Sequence, residues 1–267
     1  MERKKITVPV INKMKQKNEK ITGLTAYDWC LASLLDSAGI ELILVGDSAS
    51  MVFAGNKTTL PATMDQMIYH SQVVSRGVEY ALVITDMPFL SYQTSPEIAL
   101  ENAGRFVKES EVEGVKIEGG EFIAEAVHKI VNSGIPVMGH LGLTPQSIHQ
   151  FGSYKTQGKD KKTAKKLVKD ANILEEAGVF SIVLEKIPAA VAQEVTLSVS
   201  VPTIGIGAGP YCDGQILVTH DMLGLFENFK PKFVRKYADI GPEIKKSVEK
   251  YIQDIKNNKF PDQKESF

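Results

Sequence analysis

Short apolar segments alternate with stretches of helical periodicity along almost the whole chain. Segments with a helix signature include residues 29–38, which follow Asp28 as a potential N-cap and end before Gly39. The apolar segments are rich in Ile, Val and Leu, as strands covered on both faces are. This alternation predicts an α/β fold with a parallel sheet. The eight predicted strands cover residues 21–27, 41–47, 81–87, 114–119, 136–142, 180–186, 202–208 and 215–221.

Eight strand–helix units fit a (β/α)8 TIM barrel, for which about 250 residues is typical. The chain has 267 residues, and we expect one domain over residues 1–267. Residues 1–20 form a lead-in with a short, solvated helix, and residues 257–267 form a polar tail. Only GPYCDG separates the last two strands, which is too short for a crossover helix. Either the seventh unit is degenerate, or residues 215–221 are not a barrel strand and the sheet is open and doubly wound.

The composition limits the classes of binding partner and the cellular location that we expect for this protein. The net charge of -1 offers no electrostatic reason to expect nucleic acid or an anionic membrane. The apolar run ITVPVI near the N-terminus is too short for a signal sequence, and no run approaches the roughly 20 residues of a membrane span. Cys30 and Cys212 are far apart and in no metal-binding or redox motif, so we expect two buried, reduced thiols. Together these features predict a cytoplasmic protein.

Ionisable residues stand where five consecutive strands end. Each alone has an ordinary structural explanation, such as a helix cap for an Asp or a hydrogen-bonded structural role for a His. In a parallel barrel, however, all strand C-termini share one rim, and enzymes with this fold place their active sites there. The residues therefore converge if the barrel forms. They are Asp47, Asp86, Glu118, His140 and Glu185.

Charge balance at this rim favours a cation. Lys116 and Glu118 alternate with Val115 and Ile117, so they point to one face of their strand, about 6–7 Å apart. A structural ion pair inside the barrel is one explanation for them. Four carboxylates against one ammonium would otherwise raise carboxylate pKa values. Oxygen ligands suit Mg²⁺, which takes one or two carboxylates and keeps positions open for a substrate. The sequence predicts a magnesium site.

The glycine-rich segment GIGAGPYCDG, residues 205–214, does not match a dinucleotide-binding fingerprint. Pro210 stands where that fingerprint needs its last glycine, and the segment follows a late strand. A close approach of the backbone to a substrate, or a tight turn, explains these glycines.

Several longer segments resemble the ketopantoate hydroxymethyltransferases. They lie in the expected order between Thr22 and Leu225 and read LVGDSASMV, TLPATMDQMIYH, VKIEGGEF, GHLGLTPQSIHQFGSYKTQGK, VLEKIP and IGIGAGPYCDGQILVTHD. The resemblance implies a (β/α)8 barrel that transfers a one-carbon unit from 5,10-methylenetetrahydrofolate to 3-methyl-2-oxobutanoate. The product, 2-dehydropantoate, leads to pantothenate and coenzyme A. The resemblance also implies one Mg²⁺ per subunit and a homo-oligomer, in bacteria often a decamer of two stacked pentamers.

The same resemblance implies roles for single residues. Asp47, Asp86 and Glu118 resemble the magnesium site, and Asp47 and Asp86 also neighbour the oxo acid. Ser48 and Lys116 resemble the contacts to the substrate's carboxylate and oxo group. Glu185 resembles the proton acceptor that forms a magnesium-stabilised enolate, and His140 is a possible accessory residue.

Two departures from the family pattern lie beside these residues. Ala49-Ser50 replaces the commoner Leu-Gly of GDSLGM, and Glu185-Lys186-Ile187-Pro188 replaces an ECVP-like segment. Ser50 would restrict the backbone if the loop required a positive φ there.

Two other functions are compatible with the acidic residues. One is a magnesium-dependent oxo-acid enzyme of the carbon–carbon lyase or mutase type. Many of those enzymes carry a Cys in a Lys-, Gly- and His-rich loop, in which neither Cys30 nor Cys212 lies. The other is a catalytically inactive barrel that serves as a binding subunit, although the complete acidic set argues against it.

Overall fold

Eight parallel strands close into a barrel in chain order. The computed structural model describes residues 3–226 and 231–267. Strand β1 pairs with both β2 and β8, so the sheet has no edge and the doubly wound alternative is wrong. The strands are β1 Ile21–Thr25, β2 Leu42–Val45, β3 Leu82–Asp86, β4 Gly114–Glu118, β5 Val137–Gly142, β6 Ser181–Glu185, β7 Thr203–Ile206 and β8 Gly214–Leu217.

Helices follow the strands as the sequence predicts. Asp28 caps α2 by accepting a hydrogen bond from the backbone N–H of Leu31, and Gly39 ends that helix at φ 101°. Short 3-10 turns cover Glu121–Ile123 and Pro145–Ser147. The helices are α1 Val8–Gln16, α2 Trp29–Ala38, α3 Ala49–Val52, α4 Met64–Ser75, α5 Pro96–Ser110, α6 Ala124–Asn132, α7 Ile148–Phe151, α8 Lys161–Glu176, α9 Ala189–Ser198, α10 Thr219–Met222 and α11 Ile240–Lys256.

The connection between β7 and β8 is a turn. Residues 207–213, all of which the structure describes, contain no helix. The seventh unit is therefore degenerate, and the barrel closes without its crossover helix. The predicted strand at residues 215–221 is correct only in its first part, because β8 ends at Leu217 and Thr219 begins α10. Gly207 and Gly209 have φ values of 64° and 81°, as a tight turn requires.

The predicted lead-in helix is present as α1, but one side of it is buried and not solvated. Ile11 of α1 is 2% exposed and belongs to the same apolar cluster as Ile21, Leu42 and Leu82, the first residues of β1, β2 and β3. Helix α1 therefore covers the N-terminal end of the barrel. The nine residues of α1 have a mixed composition and gave no local signal for this burial, which depends on the barrel opening beneath the helix.

The two cysteines differ. Cys212 is buried as expected, whereas Cys30 is exposed on α2, so the prediction of two buried thiols is wrong for Cys30. Both are free thiols.

Two compact units divide the chain, one ending at Leu217 and the other beginning at Val218. The first contains the whole barrel. The second contains α10, the long helix α11 and residues 257–267, which are all exposed. Among the described residues, no helix has the length and apolar character that crossing a membrane requires.

Candidate active site at the C-terminal rim of the barrel

Successive side chains of strand β4 point alternately into two different environments. Val115 and Ile117 belong to the apolar cluster between the strands and the outer helices. Lys116 and Glu118 take the opposite face and are each 4% exposed. The strand registers then place Asp86 beside Lys116 and Glu118 beside His140. The charged side chains therefore face the interior of the barrel at its C-terminal end.

Lys116 is the cationic centre of this group. Its Nζ lies 2.9 Å from Oδ1 of Asp86 and 3.0 Å from Nδ1 of His140. The contact with Asp86 is an ion pair without hydrogen-bond geometry, which leaves that buried oxygen with no hydrogen-bond partner. The other Asp86 oxygen, Oδ2, accepts a hydrogen bond of 3.0 Å from the backbone N–H of Asp47. Strand ends β2, β3 and β4 are thereby connected.

His140 lies between two carboxylates. Its Nδ1 is 3.4 Å from Oε1 of Glu118, and its Nε2 is 3.3 Å from Oε2 of Glu185. An ammonium group only donates, so the contact with Lys116 requires an unprotonated Nδ1. Neutral His140 then carries its proton on Nε2, facing Glu185. Glu185 itself is partly buried at the end of β6.

Burial and mutual repulsion dominate the electrostatics. Burial, then Asp86 and Glu118, raise the pKa of the Asp47 carboxyl well above its usual range. Burial lowers the pKa of Lys116, but the three surrounding carboxylates outweigh it and the pKa is raised. Burial and Lys116 lower the pKa of His140, yet interactions with Glu118 and Glu185 raise it above its ordinary value. The rim thus holds more buried negative charge than Lys116 alone compensates.

Ser48 follows Asp47 directly and precedes α3. Its Oγ is 2.8 Å from the hydroxyl oxygen of Tyr27, which follows β1. Ser50 lies inside α3 with no positive φ, and its Oγ donates to the carbonyl of Thr58 at 2.9 Å. The loop therefore does not need glycine at position 50. In the second segment that departs from the family pattern, Glu185-Lys186-Ile187-Pro188, Lys186 does adopt a positive φ of 49°.

Two neutral residues that the sequence did not single out complete the site. Gln146 donates from Nε2 to Oδ2 of Asp47 at 2.9 Å, and its backbone N–H donates to Oε2 of Glu118 at 2.9 Å. The hydroxyl of Tyr92 accepts from the backbone N–H of Glu118 at 3.0 Å. The only sequence signal was their position in loops that follow β5 and β3, since an uncharged side chain adds nothing to a charge balance.

The donor set fits a magnesium ion in its chemistry. It consists of buried carboxylate oxygens, and Oδ1 of Asp86 lacks a hydrogen bond. In the described part of the chain, however, no three His, Cys, Asp or Glu side chains are placed to share one metal ion. Because Mg²⁺ needs only one or two carboxylates and otherwise binds water and substrate, the arrangement remains compatible with it.

The family profile and the similar proteins indicate the same family for this chain. The profile of the family described as ketopantoate hydroxymethyltransferase matches residues 5–263. The 3-methyl-2-oxobutanoate hydroxymethyltransferase of Syntrophus aciditrophicus is 56% identical over 264 residues, covering 99% of this chain and 97% of that protein. The enzyme of the same name from Clostridium botulinum strain 657 is 56% identical and covers 98% of this chain and 95% of its own length.

Solved structures show the same fold at low identity. Phosphonopyruvate hydrolase, in complex with oxalate and Mg²⁺, matches with a TM-score of 0.64 and 10% identity, covering 97% of this chain and 92% of that one. 2,3-Dimethylmalate lyase, a member of the PEP mutase/isocitrate lyase superfamily, matches with a TM-score of 0.62 and 14% identity, covering 97% and 91%. At these identities the likeness concerns the barrel fold alone.

Proposed function

This chain belongs to the ketopantoate hydroxymethyltransferase family, and from that premise we propose that it transfers a hydroxymethyl unit from 5,10-methylenetetrahydrofolate to 3-methyl-2-oxobutanoate. The observation that carries the proposal is the joining of Asp86, Lys116 and Glu118 with His140 in one buried cluster, in a chain with full-length identity to enzymes of that name. The product would be 2-dehydropantoate, a precursor of pantothenate and coenzyme A.

The substrate is a small anion with a neighbouring carbonyl oxygen. Lys116, as the buried ammonium of the rim, would face the carboxylate and the oxygen that gains charge during reaction. Ser48 would donate a hydrogen bond to the same substrate, with its hydroxyl held by Tyr27. Asp47 and Asp86 neighbour the bound oxo acid in this proposal, because they stand at the ends of the adjacent strands β2 and β3, and β3 pairs with the strand that carries Lys116.

Glu185 would be the base that removes the proton from C3 of the substrate. It lies at the rim and is less buried than Glu118 and His140, so a substrate can reach it. The Nε2 proton of His140 would orient this carboxylate by electrostatic attraction over 3.3 Å, a contact without hydrogen-bond geometry. The resulting enolate would attack the methylene carbon of the folate, forming the bond to C3 as one of the two C–N bonds breaks. Water would then displace the remaining C–N bond, which supplies the hydroxyl oxygen of the product and releases tetrahydrofolate.

Asp47, Asp86 and Glu118 are the residues proposed to hold Mg²⁺, one ion per subunit, with one or two of these carboxylates bound directly and the others acting through water or hydrogen bonds. When bound, the ion would supply Lewis-acid stabilisation of the charge that develops on the 2-oxo oxygen. Its positive charge would also offset the repulsion that raises the pKa of Asp47. This charge balance, rather than shared ligand geometry, supports the metal proposal.

Proton NMR in D₂O tests the base directly. We expect 3-methyl-2-oxobutanoate with enzyme and Mg²⁺ to lose its C3 proton signal without folate, and to form a hydroxymethyl product only after methylenetetrahydrofolate is added. Glu185→Gln should slow the exchange by about 10²–10⁴-fold, the usual contribution of a general base. Glu194→Gln, an exposed glutamate on α9, is the matched control and should exchange normally.

Each contrary result has a definite meaning. Exchange that survives EDTA would remove the metal from the proposal. Normal exchange in Glu185→Gln would remove Glu185 as the base. Neither exchange nor product with the wild-type enzyme would refute the transferase reaction for this chain.

A further inference from the structure

Gln146 forms hydrogen bonds with residues at the ends of three different strands. It lies in the 3-10 turn Pro145–Ser147 after β5 and is 5% exposed. Besides donating to Asp47, its Nε2 donates to the backbone carbonyl of Met87, also at 2.9 Å. Its backbone N–H reaches Glu118. One residue thus connects the loops after β2 and β3 with the end of β4.

The oxygen of the Gln146 side-chain amide also has hydrogen-bond partners. Oε1 of Gln146 accepts from the hydroxyl of Tyr92 at 2.8 Å and from Nε2 of Gln93 at 3.1 Å. Both amide protons therefore face acceptors and both oxygen lone pairs face donors, which determines the orientation of the amide. The single hydroxyl proton of Tyr92 faces Oε1 of Gln146 and, at 3.1 Å, the backbone carbonyl of Glu118.

The contacts of Gln146 occupy one oxygen of the Asp47 carboxylate and one oxygen of the Glu118 carboxylate. Gln146 occupies Oδ2 of Asp47 through its side chain and Oε2 of Glu118 through its backbone. The second oxygen of Glu118, Oε1, lies 3.4 Å from Nδ1 of His140. A hydrogen bond that fixes one oxygen of a carboxylate orients the other for a ligand.

We propose that Gln146, supported by Tyr92, is a positioning residue that orients the Asp47 and Glu118 carboxylates for a divalent cation. The inference rests on the proposed function for the identity of that cation. Gln146 touches neither substrate nor reacting atoms in this assignment. Outer partners of this kind typically change metal affinity by about 10–100-fold.

The test measures binding of Mn²⁺ alone by electron paramagnetic resonance, using the purified full-length chain. Gln146→Met keeps the length of the side chain but removes both amide groups. We expect it to bind Mn²⁺ about tenfold or more weakly, with kcat recovered at saturating metal and the metal-free circular dichroism unchanged. Gln72→Met is the matched control. Gln72 lies away from the rim, and its Nε2 donates a hydrogen bond of 2.9 Å to the Glu109 carbonyl.

Tyr92→Phe supplies a second test that keeps the aromatic ring and removes only the hydroxyl. We expect it to weaken Mn²⁺ binding in the same direction, and it decides the question if Gln146→Met does not fold. Mn²⁺ affinity within twofold of wild type in the folded variants, or an equal loss in Gln72→Met, overturns the inference while the proposed function stands. A wild-type protein that binds no Mn²⁺ overturns both the proposed metal site and the inference.

Discussion

At the residue scale, the rim concentrates charges that folding would normally avoid. Asp47, Asp86 and Glu118 are at most 4% exposed, and Lys116 is the ammonium among them. Removing a charge from water costs several kcal/mol unless partners replace the lost hydration. Hydrogen bonds from backbone N–H groups and from the Gln146 side-chain amide replace part of it. The remaining cost is typical of sites arranged for binding.

The raised pKa of Asp47 predicts how stability changes with pH. An unfolded Asp titrates near 3.9, whereas folded Asp47 keeps its proton to higher pH. The folded state then binds more protons, so this residue favours folding below about pH 4 and loses that contribution as pH rises through the folded pKa. Each unit of difference is worth about 1.4 kcal/mol.

Asp47→Asn removes this titration and keeps an oxygen that can accept from Gln146. In EDTA, we expect the variant to melt above the wild type by about 3 °C or more at pH 8, and by less at pH 5. Differential scanning calorimetry at the two pH values measures the effect. Glu194→Gln should show no pH-dependent gain. A gain that is equal at both pH values, or absent, would contradict the electrostatic account of Asp47.

At the scale of elements, the ends of β5 and β6 pack too closely for any residue except glycine. Gly142 ends β5 with φ 97° and pairs with Glu185 in the strand register. A Cβ at this position would stand 2.2 Å from the Glu185 carbonyl oxygen and 2.7 Å from Cγ2 of Ile187. The same carbonyl accepts from the backbone N–H of Leu143 at 2.8 Å. The position of Glu185 therefore depends on Gly142.

Gly142→Ala should reduce C3 proton exchange by about tenfold or more, because a small displacement of a reacting group is costly. Gly39→Ala is the control, since Gly39 has a similar φ of 101° but an added Cβ would meet nothing within 4 Å. Both variants carry backbone strain of about 1–2 kcal/mol. Only Gly142→Ala should lose exchange activity in the NMR assay. Equal activity in the two variants would show that Glu185 is positioned by something else.

At the scale of the whole molecule, the outer surface bears apolar side chains that a lone barrel does not need. Trp29 and Leu34 on α2 are 57% and 61% exposed, and Tyr69 on the adjacent helix α4 is 60% exposed. Exposed apolar patches often mark interfaces, and most soluble oligomers are symmetric assemblies of one chain. The homo-oligomer that the sequence resemblance implies stays a prediction, and we expect its contact to include these residues.

Native mass spectrometry should therefore detect an assembly larger than a monomer, with a decamer as the expected form. Leu34→Glu should shift the distribution to smaller species, because a carboxylate would be buried at the contact. Far-UV circular dichroism controls for folding. A monomeric wild type would contradict the assembly. A fully assembled Leu34→Glu variant would place the interface on another surface.

Local patterns in the sequence determined the eight strands, the limits of α2 and the residues at the strand ends. Period-2 and period-3.6 patterns, caps and glycines act over a few positions, so they can be read without the fold. Parallel topology then brought Asp86, Lys116, Glu118 and His140 together, as predicted. Metal binding and the individual roles stay predictions.

Only the tertiary structure decided what depends on distant neighbours. It buried Ile11 of α1 against the barrel opening, exposed Cys30 and ended β8 at Leu217. It also placed Gln146 on the carboxylates and Tyr92 on the backbone of Glu118. None of these has a periodic or charge signature. The partner of a neutral hydrogen-bonding side chain, and the burial of a short helix, are set by which segments the closed barrel brings within contact. The chain's local chemistry therefore specified the barrel and its acidic rim, while the packing between loops specified how that rim is held.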